Sequence, residues 1–245
     1  MPARMRLVLL GVLTLVIGLI IFFPARVAYH WFAPPTLKLG GIEGTVWRGS
    51  AREGMANGVY LRDLHWRNRP WQLLSGKLAY AIEANPVPGF VEGNVAISIT
   101  GSVAITDFVG SFSLESLQQA IGVPGLRGNL SVRIEQLRLE NGLPVVAIGT
   151  IEVADLVAPF VHRASIGGYK ADFLAQDTGI VASIEDTDGV VDLAGSLALS
   201  NDRSYSFVAL IAAKAATPAD IRQQLHFLGS ANDRGQYELR LEGEL

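Results

Sequence analysis

No cysteine occurs anywhere in the 245 residues, which excludes a disulfide framework and any thiolate metal site. Its absence fits an oxidising compartment, where an unpaired thiol is a liability. Charge of one sign is also missing. Twenty Lys and Arg stand against 23 Asp and Glu, for a net charge of −3 and a pI near 5.8, and the basic residues are scattered. Nucleic acid therefore has no electrostatic footprint here. Histidine is scarce, and His30, His65, His162 and His226 lie far apart with no second histidine at ligand spacing. There is no Gly-x-Ser-x-Gly elbow. The glycine-rich stretch Gly122 to Gly128 leaves a helix and enters a strand, the reverse of a phosphate-cradling loop. No catalytic residue, metal ligand or cofactor site is expected, and the chain does not read as an enzyme.

Long apolar runs are absent too, with one exception. Leu7 to Phe23 is uninterrupted, and at 1.5 Å per residue it spans about 25 Å, close to the roughly 30 Å of a bilayer core. The stretch comprises Leu7, Val8, Leu9, Leu10, Leu13, Leu15, Val16, Ile17, Leu19, Ile20, Ile21, Phe22 and Phe23, with glycines, Val12 and Thr14 between. It is longer than a cleavable signal peptide's apolar region, and Phe22-Phe23-Pro24-Ala25-Arg26 offers no small-x-small site. An uncleaved signal anchor is therefore expected over a cleaved signal. Arg4 and Arg6 precede the run and only Arg26 follows closely, which orients the N-terminus to the cytoplasm and the bulk outward. Tyr29, Trp31 and Phe32 suit the far interface. The expected organisation is a cytoplasmic tail at 1–6, a transmembrane signal anchor at 7–27, a linker at 28–35 stiffened by Pro34 and Pro35, and an exported β-rich domain at 36–245.

Beyond the prolines the apolar residues alternate. The pattern runs through Val59 to Trp66, Leu78 to Ile82, Val95 to Ile99, Leu130 to Leu139, Ile148 to Val153, Tyr169 to Leu174, Ile180 to Ile184, Val190 to Leu199, Tyr205 to Ile211 and Tyr237 to Leu241. Period two marks strands with one covered face, and glycines such as Gly76, Gly93, Gly101, Gly149 and Gly195 punctuate them as turns, bulges or bends. The expected fold is mainly β, a curved antiparallel meander. Two short helices interrupt it. One is capped by Ser113 and ends at Gly122; the other has Thr217 as N-cap, Pro218 at the first helical position and Gly229 as terminator. Similar order and spacing around these helices suggest two repeated units, 36–140 and 143–245, able to share one continuous sheet.

Two segments invite a functional reading. Glu185 to Gly189 is acidic, but Asp-Gly between strands is a hairpin signal and the full calcium-loop pattern is missing. His65-Trp66-Arg67-Asn68-Arg69-Pro70-Trp71 is the candidate interaction patch, represented by His65, Trp66, Arg67, Arg69 and Trp71. Arginine beside tryptophan can build a contact surface. The competing reading is a strand end and turn with both tryptophans packed inward.

The segment Leu39 to Ala51 carries Gly44-Thr45-Val46-Trp47-Arg48-Gly49-Ser50-Ala51, followed by Leu64-His65-Trp66 and Pro70 to Gly76, and the chain closes on Gly235-Gln236-Tyr237-Glu238-Leu239. With the N-terminal run, these blocks make the chain resemble the protein N family of the bacterial type II secretion system, from end to end. The resemblance implies an accessory inner-membrane component whose periplasmic β domain contacts other inner-membrane proteins of the export machine and the outer-membrane secretin. A more distant likeness to AsmA-like envelope proteins implies instead a membrane-anchored β-groove that handles lipid. Neither implies a cofactor.

Overall fold

The computed structural model describes residues 3–244, so Met1 and Pro2, at the start of the expected tail, and Leu245 lie outside the described residues. Helix α1 spans Ala3–Ile21. Among the described residues no helix is long and apolar enough to cross a membrane, which overturns the expected transmembrane anchor and with it the single-pass inner-membrane topology. Two features of the chain limit the length of its apolar helix. Arg4 and Arg6 fall inside the helix, and the helix stops before the apolar run does, because Phe22 forms a turn and Phe23 is non-helical. The uninterrupted apolar helix from Leu7 to Ile21 is about 22 Å long, well short of the roughly 30 Å hydrocarbon core.

Pro24 cannot continue the helix, and it bridges instead to Thr45. Helix α2, Ala25–Phe32, then occupies most of the stretch expected as a linker. Its inner side buries Ala25 against Ile42 and Ala51, while Arg26 Nε donates to the Ile42 carbonyl at 2.6 Å. Tyr29, expected at a membrane interface, packs on the sheet; Trp31 and Phe32 stay exposed, with Trp31 lying 5.9 Å from the Phe23 ring.

The remainder is one antiparallel sheet of 14 strands, so the mainly β expectation holds. Strand β1 is Leu37–Gly40, β2 Glu43–Gly44, β3 Arg48–Ala56, β4 Val59–Asn68, β5 Lys77–Pro86, β6 Gly89–Ser98 and β7 Val103–Ser113. After a 3-10 turn at Leu114–Leu117 and helix α3, Gln118–Ile121, come β8 Arg127–Glu140, β9 Leu143–Val157, β10 Tyr169–Gln176, β11 Gly179–Asp186, β12 Val191–Ser200 and β13 Ser204–Ala213. Helix α4, Ala219–Leu225, and a 3-10 turn at His226–Leu228 precede β14, Gln236–Glu244. Each strand from β3 onward pairs with its successor, and β1 and β2 both pair with β3. The sheet is open, with β1 and β14 at its two edges, and this corrects the expected curved domain. Register shifts are confined to the pairs β4–β5, β6–β7 and β8–β9, so bulges bend the first strands locally while β9 to β14 pair in unbroken register.

Register fixes the two faces. Val132, Ile151, Ala171, Ile184, Gly195, Ala209 and Leu239 stand opposite one another across β8 to β14 and make an apolar stripe. One residue along, Arg133, Thr150, Asp172, Ser183, Ser196, Val208 and Arg240 make a mostly polar stripe on the other face. Thr150 Oγ1 donates to Asp172 there at 2.6 Å. At one end of the sheet α4 buries Ile221 and Leu225 among Ala158, Ile166 and Val191, which form the larger core cluster.

Thr217 does not cap α4. Its buried hydroxyl accepts from the Lys214 N–H at 2.7 Å and donates to the Val190 carbonyl, holding the entry to the helix against the β11–β12 turn. Lys214 Nζ also meets Asp186 and the Gly189 carbonyl. Asp186, from the acidic stretch, is thereby committed to an ion pair. Burial alone would raise its pKa, but the Lys214 ammonium and the Leu193 N–H outweigh burial and hold it below the ordinary carboxylate value.

Candidate functional site

The candidate patch lies where β4 ends, beside the joint between the N-terminal helices and the sheet. That joint is built by Gly44 to Gly49. Gly44 pairs with Gly49 across a tight hairpin, with Gly44 at φ +89°, a conformation that favours glycine. The Thr45 N–H donates to the Arg48 carbonyl at 2.9 Å, leaving Val46 and Trp47 at the tip. From there the Val46 N–H reaches the Phe23 carbonyl at 3.0 Å, and Trp47 Nε1 donates to the Ile20 carbonyl at 2.7 Å. The indole therefore caps a carbonyl in the last turn of the helix that otherwise accepts only a long hydrogen bond, from the Phe23 N–H at 3.4 Å.

Trp66 belongs to the same joint. It stands opposite Gly49, where any Cβ would collide with its ring and with the Glu43 carbonyl. Its Nε1 donates to the Thr45 carbonyl at 3.1 Å, and the ring packs with Ala25, Ile42 and Ala51. Trp66 thus works mainly as packing.

His65 and Arg67 flank Trp66 in β4 and are exposed. Arg67 stands directly opposite Arg48 on β3, and His65 stands opposite Glu83 on β5. These side chains line a cleft of about 240 Å³. Among the described residues Arg48, Arg67 and Arg69 enter no ion pair, so their charge is presented outward. The strand is held in place by Asn68, whose buried amide donates to the Ala79 carbonyl at 3.0 Å and whose N–H donates to the Trp47 carbonyl at 2.6 Å. Across from Asn68, burial pushes the Tyr80 phenol above its ordinary pKa, so it stays neutral.

Trp71 sits on a 3-10 helix, Pro70–Ser75, and is 83% exposed. Leu74 on the same turn is 84% exposed, and Ile99 at the neighbouring β6–β7 turn is 90% exposed. The Ile99 N–H donates to the Gly76 carbonyl at 3.2 Å, which places the two turns side by side. The sequence places Arg48 and Leu74 in the motif blocks and Ile99 in an alternating strand, and points to none of them as part of the patch. Leu74 and Arg48 carry no local signal of that role, and Ile99 is supplied by another hairpin. The arrangement combines unpaired guanidinium groups with bare apolar tips. It has the chemistry of a contact surface, not of a reaction centre.

Residues 35–240 match the family model described as type II secretion system (T2SS), protein N. The chain is 27% identical over 244 residues to type II secretion system protein N of Vibrio cholerae serotype O1 (strain ATCC 39315 / El Tor Inaba N16961), covering 94% of each chain. It is 24% identical over 236 residues to the protein of the same description from Aeromonas hydrophila, covering 93% of each. No solved structure matches. The match takes in the hairpin side of the joint, the patch and nearly the whole sheet, and on that extent the chain belongs to the protein N family of the type II secretion system.

Proposed function

We propose that this chain serves the type II secretion apparatus by making protein contacts through the surface formed by Arg48, His65, Arg67, Arg69, Trp71, Leu74 and Ile99. Family membership makes the protein a secretion component that associates with other components of the system, and it is not an enzyme. The observation carrying the surface assignment is the pairing of unneutralised arginines with a tryptophan exposed over 83% of its area. Exposed Trp and Arg are the residue types that most often dominate binding energy once a partner covers them. The partner classes proposed are the inner-membrane proteins of the apparatus and its secretin, met in the periplasm. The tethered form of this reading fails on the length of α1 and is not retained.

The test is co-purification of the full chain with the other secretion components. Replacing Arg67 and Arg69 with Glu and Trp71 with Ser should lower recovery of a partner at least about tenfold, the loss of one or two hot-spot contacts. Recovery unchanged, with the sheet still folded by circular dichroism, would remove the surface from consideration.

Lipid is a second reading, favoured by the apolar stripe. Phe173, Leu193 and Phe207 on that face are only half-buried. Native mass spectrometry decides it: a stable chain that carries no lipid after extraction counts against it. We also propose that residues 36–140 and 143–245 are repeats, since a helical insertion precedes the last strand of each half and the β8–β9 hairpin joins them into one sheet.

A further inference from the structure

An open sheet has two edges, and a bare edge strand is a template for another strand unless the protein blunts it. The two edges of this sheet are treated differently. At β1, only four residues long, the Tyr29 hydroxyl donates to the Leu37 carbonyl at 3.2 Å and accepts from the Leu39 N–H at 3.0 Å. Helix α2 therefore occupies main-chain groups that a further strand would need, and Arg26 takes the Ile42 carbonyl beside them. That edge is closed.

At β14 the main-chain edge is left unoccupied, and only charged side chains guard it. The strand has nine residues, about 30 Å of extended chain, and pairs with β13 from Ser204↔Glu244 to Ala212↔Gln236 without a register shift. It contains no proline, lysine or bulge. No described strand pairs with its outer side, and the 3-10 turn at His226–Leu228 reaches only its start, through Tyr237 Oη at 3.0 Å from His226 Nδ1.

The side chains specify what would fit. Tyr237, Leu239 and Leu241 alternate with Glu238, Arg240, Glu242 and Glu244, and Leu241 is 51% exposed. Arg240 lies 3.2 Å from Glu238 and 3.8 Å from Glu242, so one guanidinium pairs with two of the row's three carboxylates and leaves the row acidic. Cross-strand neighbours interact directly, with like charges unfavourable and opposite charges favourable. A second copy of β14 would bring one acidic row against another. An added strand with apolar residues beside Leu239 and Leu241 and cations beside the glutamates satisfies both rows.

We propose that the outer edge of β14 accepts an extended segment of alternating apolar and basic residues as an additional strand. The inference rests on the reading of the chain as a protein-contact component, but it concerns a surface separate from the Arg67–Trp71 patch. Main-chain hydrogen bonds would supply affinity and the glutamate row would supply selectivity.

The experiment uses the purified full chain and a synthetic peptide alternating Val and Lys, with a Val and Glu peptide as control, followed by amide hydrogen exchange. The basic peptide should slow exchange in β14 by about tenfold or more, while the acidic peptide leaves it unchanged. Glu238→Lys with Glu242→Lys should weaken binding of the basic peptide by about fivefold or more. These positions are exposed, and the unfolding midpoint checks that the variant folds. The proposal is overturned if protection appears only outside β14, if both peptides protect β14 equally, or if its outer amides are already protected in the free chain. Loss of secretion partners in the Arg67, Arg69 and Trp71 variant leaves these outcomes unmoved, so the two proposals fail separately.

Discussion

Gly49 shows how one missing methyl group holds the joint together. The Trp66 ring lies where its Cβ would be, against the Glu43 carbonyl, so a larger residue must displace either an indole or a hairpin backbone. Gly49→Ala should cost about 1–3 kcal/mol, read as a lower urea midpoint with unchanged slope. Asp186 is a second residue with a measurable signature. Its folded-state pKa is depressed, so its contribution is present above the unfolded value of about 3.9 and is lost as pH falls through the folded value. Asp186→Asn should therefore be less stable than the parent at neutral pH. As pH falls through the depressed folded value the two stability curves should converge; curves parallel over the whole range would show that the Lys214 pair contributes nothing.

At the scale of elements, the joint explains why Trp47 follows Gly-Thr-Val. The tip residue must span from the hairpin to the last turn of α1, and an indole is long enough to bring its donor to the Ile20 carbonyl at 2.7 Å. Trp47→Phe retains the ring and removes that hydrogen bond, which is worth about 1 kcal/mol. Tryptic cleavage after Arg26 should accelerate about fivefold as the joint opens more often, with the unfolding midpoint of the sheet unaltered. Cleavage at the parental rate would show that the Val46–Phe23 hydrogen bond suffices to hold the joint.

Legibility varies among the strands for physical reasons. Strands β4, β5, β8 and β10 to β14 show clear alternation because large apolar residues fill one face. Strand β3 is cryptic. Its buried positions are Ala51 and Gly54, small because Trp66 and Leu39 already occupy the space above the strand. In β7 the alternation is interrupted at Asp107, which has φ +51° opposite the β6 register shift. A bulge changes which residues share a face, and period counting loses the strand there. The candidate patch was legible as a group of residues, but the orientations of its tryptophans were not: Trp66 turns toward α2, whereas Trp71 leaves on a 3-10 turn.

Across the whole molecule, the open sheet ties function to its surfaces. One edge is closed by α2, one edge is bare, and the arginine and tryptophan patch lies at the helix–sheet joint; the substitutions at Arg67, Arg69 and Trp71 and those at Glu238 and Glu242 separate the latter two. The amino-acid sequence alone determined that the chain is strand-rich, that it has no cysteine for thiolate chemistry, and that it resembles the protein N family, because composition, period and motif are local properties. Tertiary structure decided where α1 ends, that the sheet stays open without the expected curvature, which edge is free and which tryptophan is bare. Each of those depends on partners distant in the chain: Trp47 on Ile20, Tyr29 on Leu39, Trp66 on Gly49. Periodicity within a strand reports its neighbours two residues away, and it contains nothing about the element that will lie beside it.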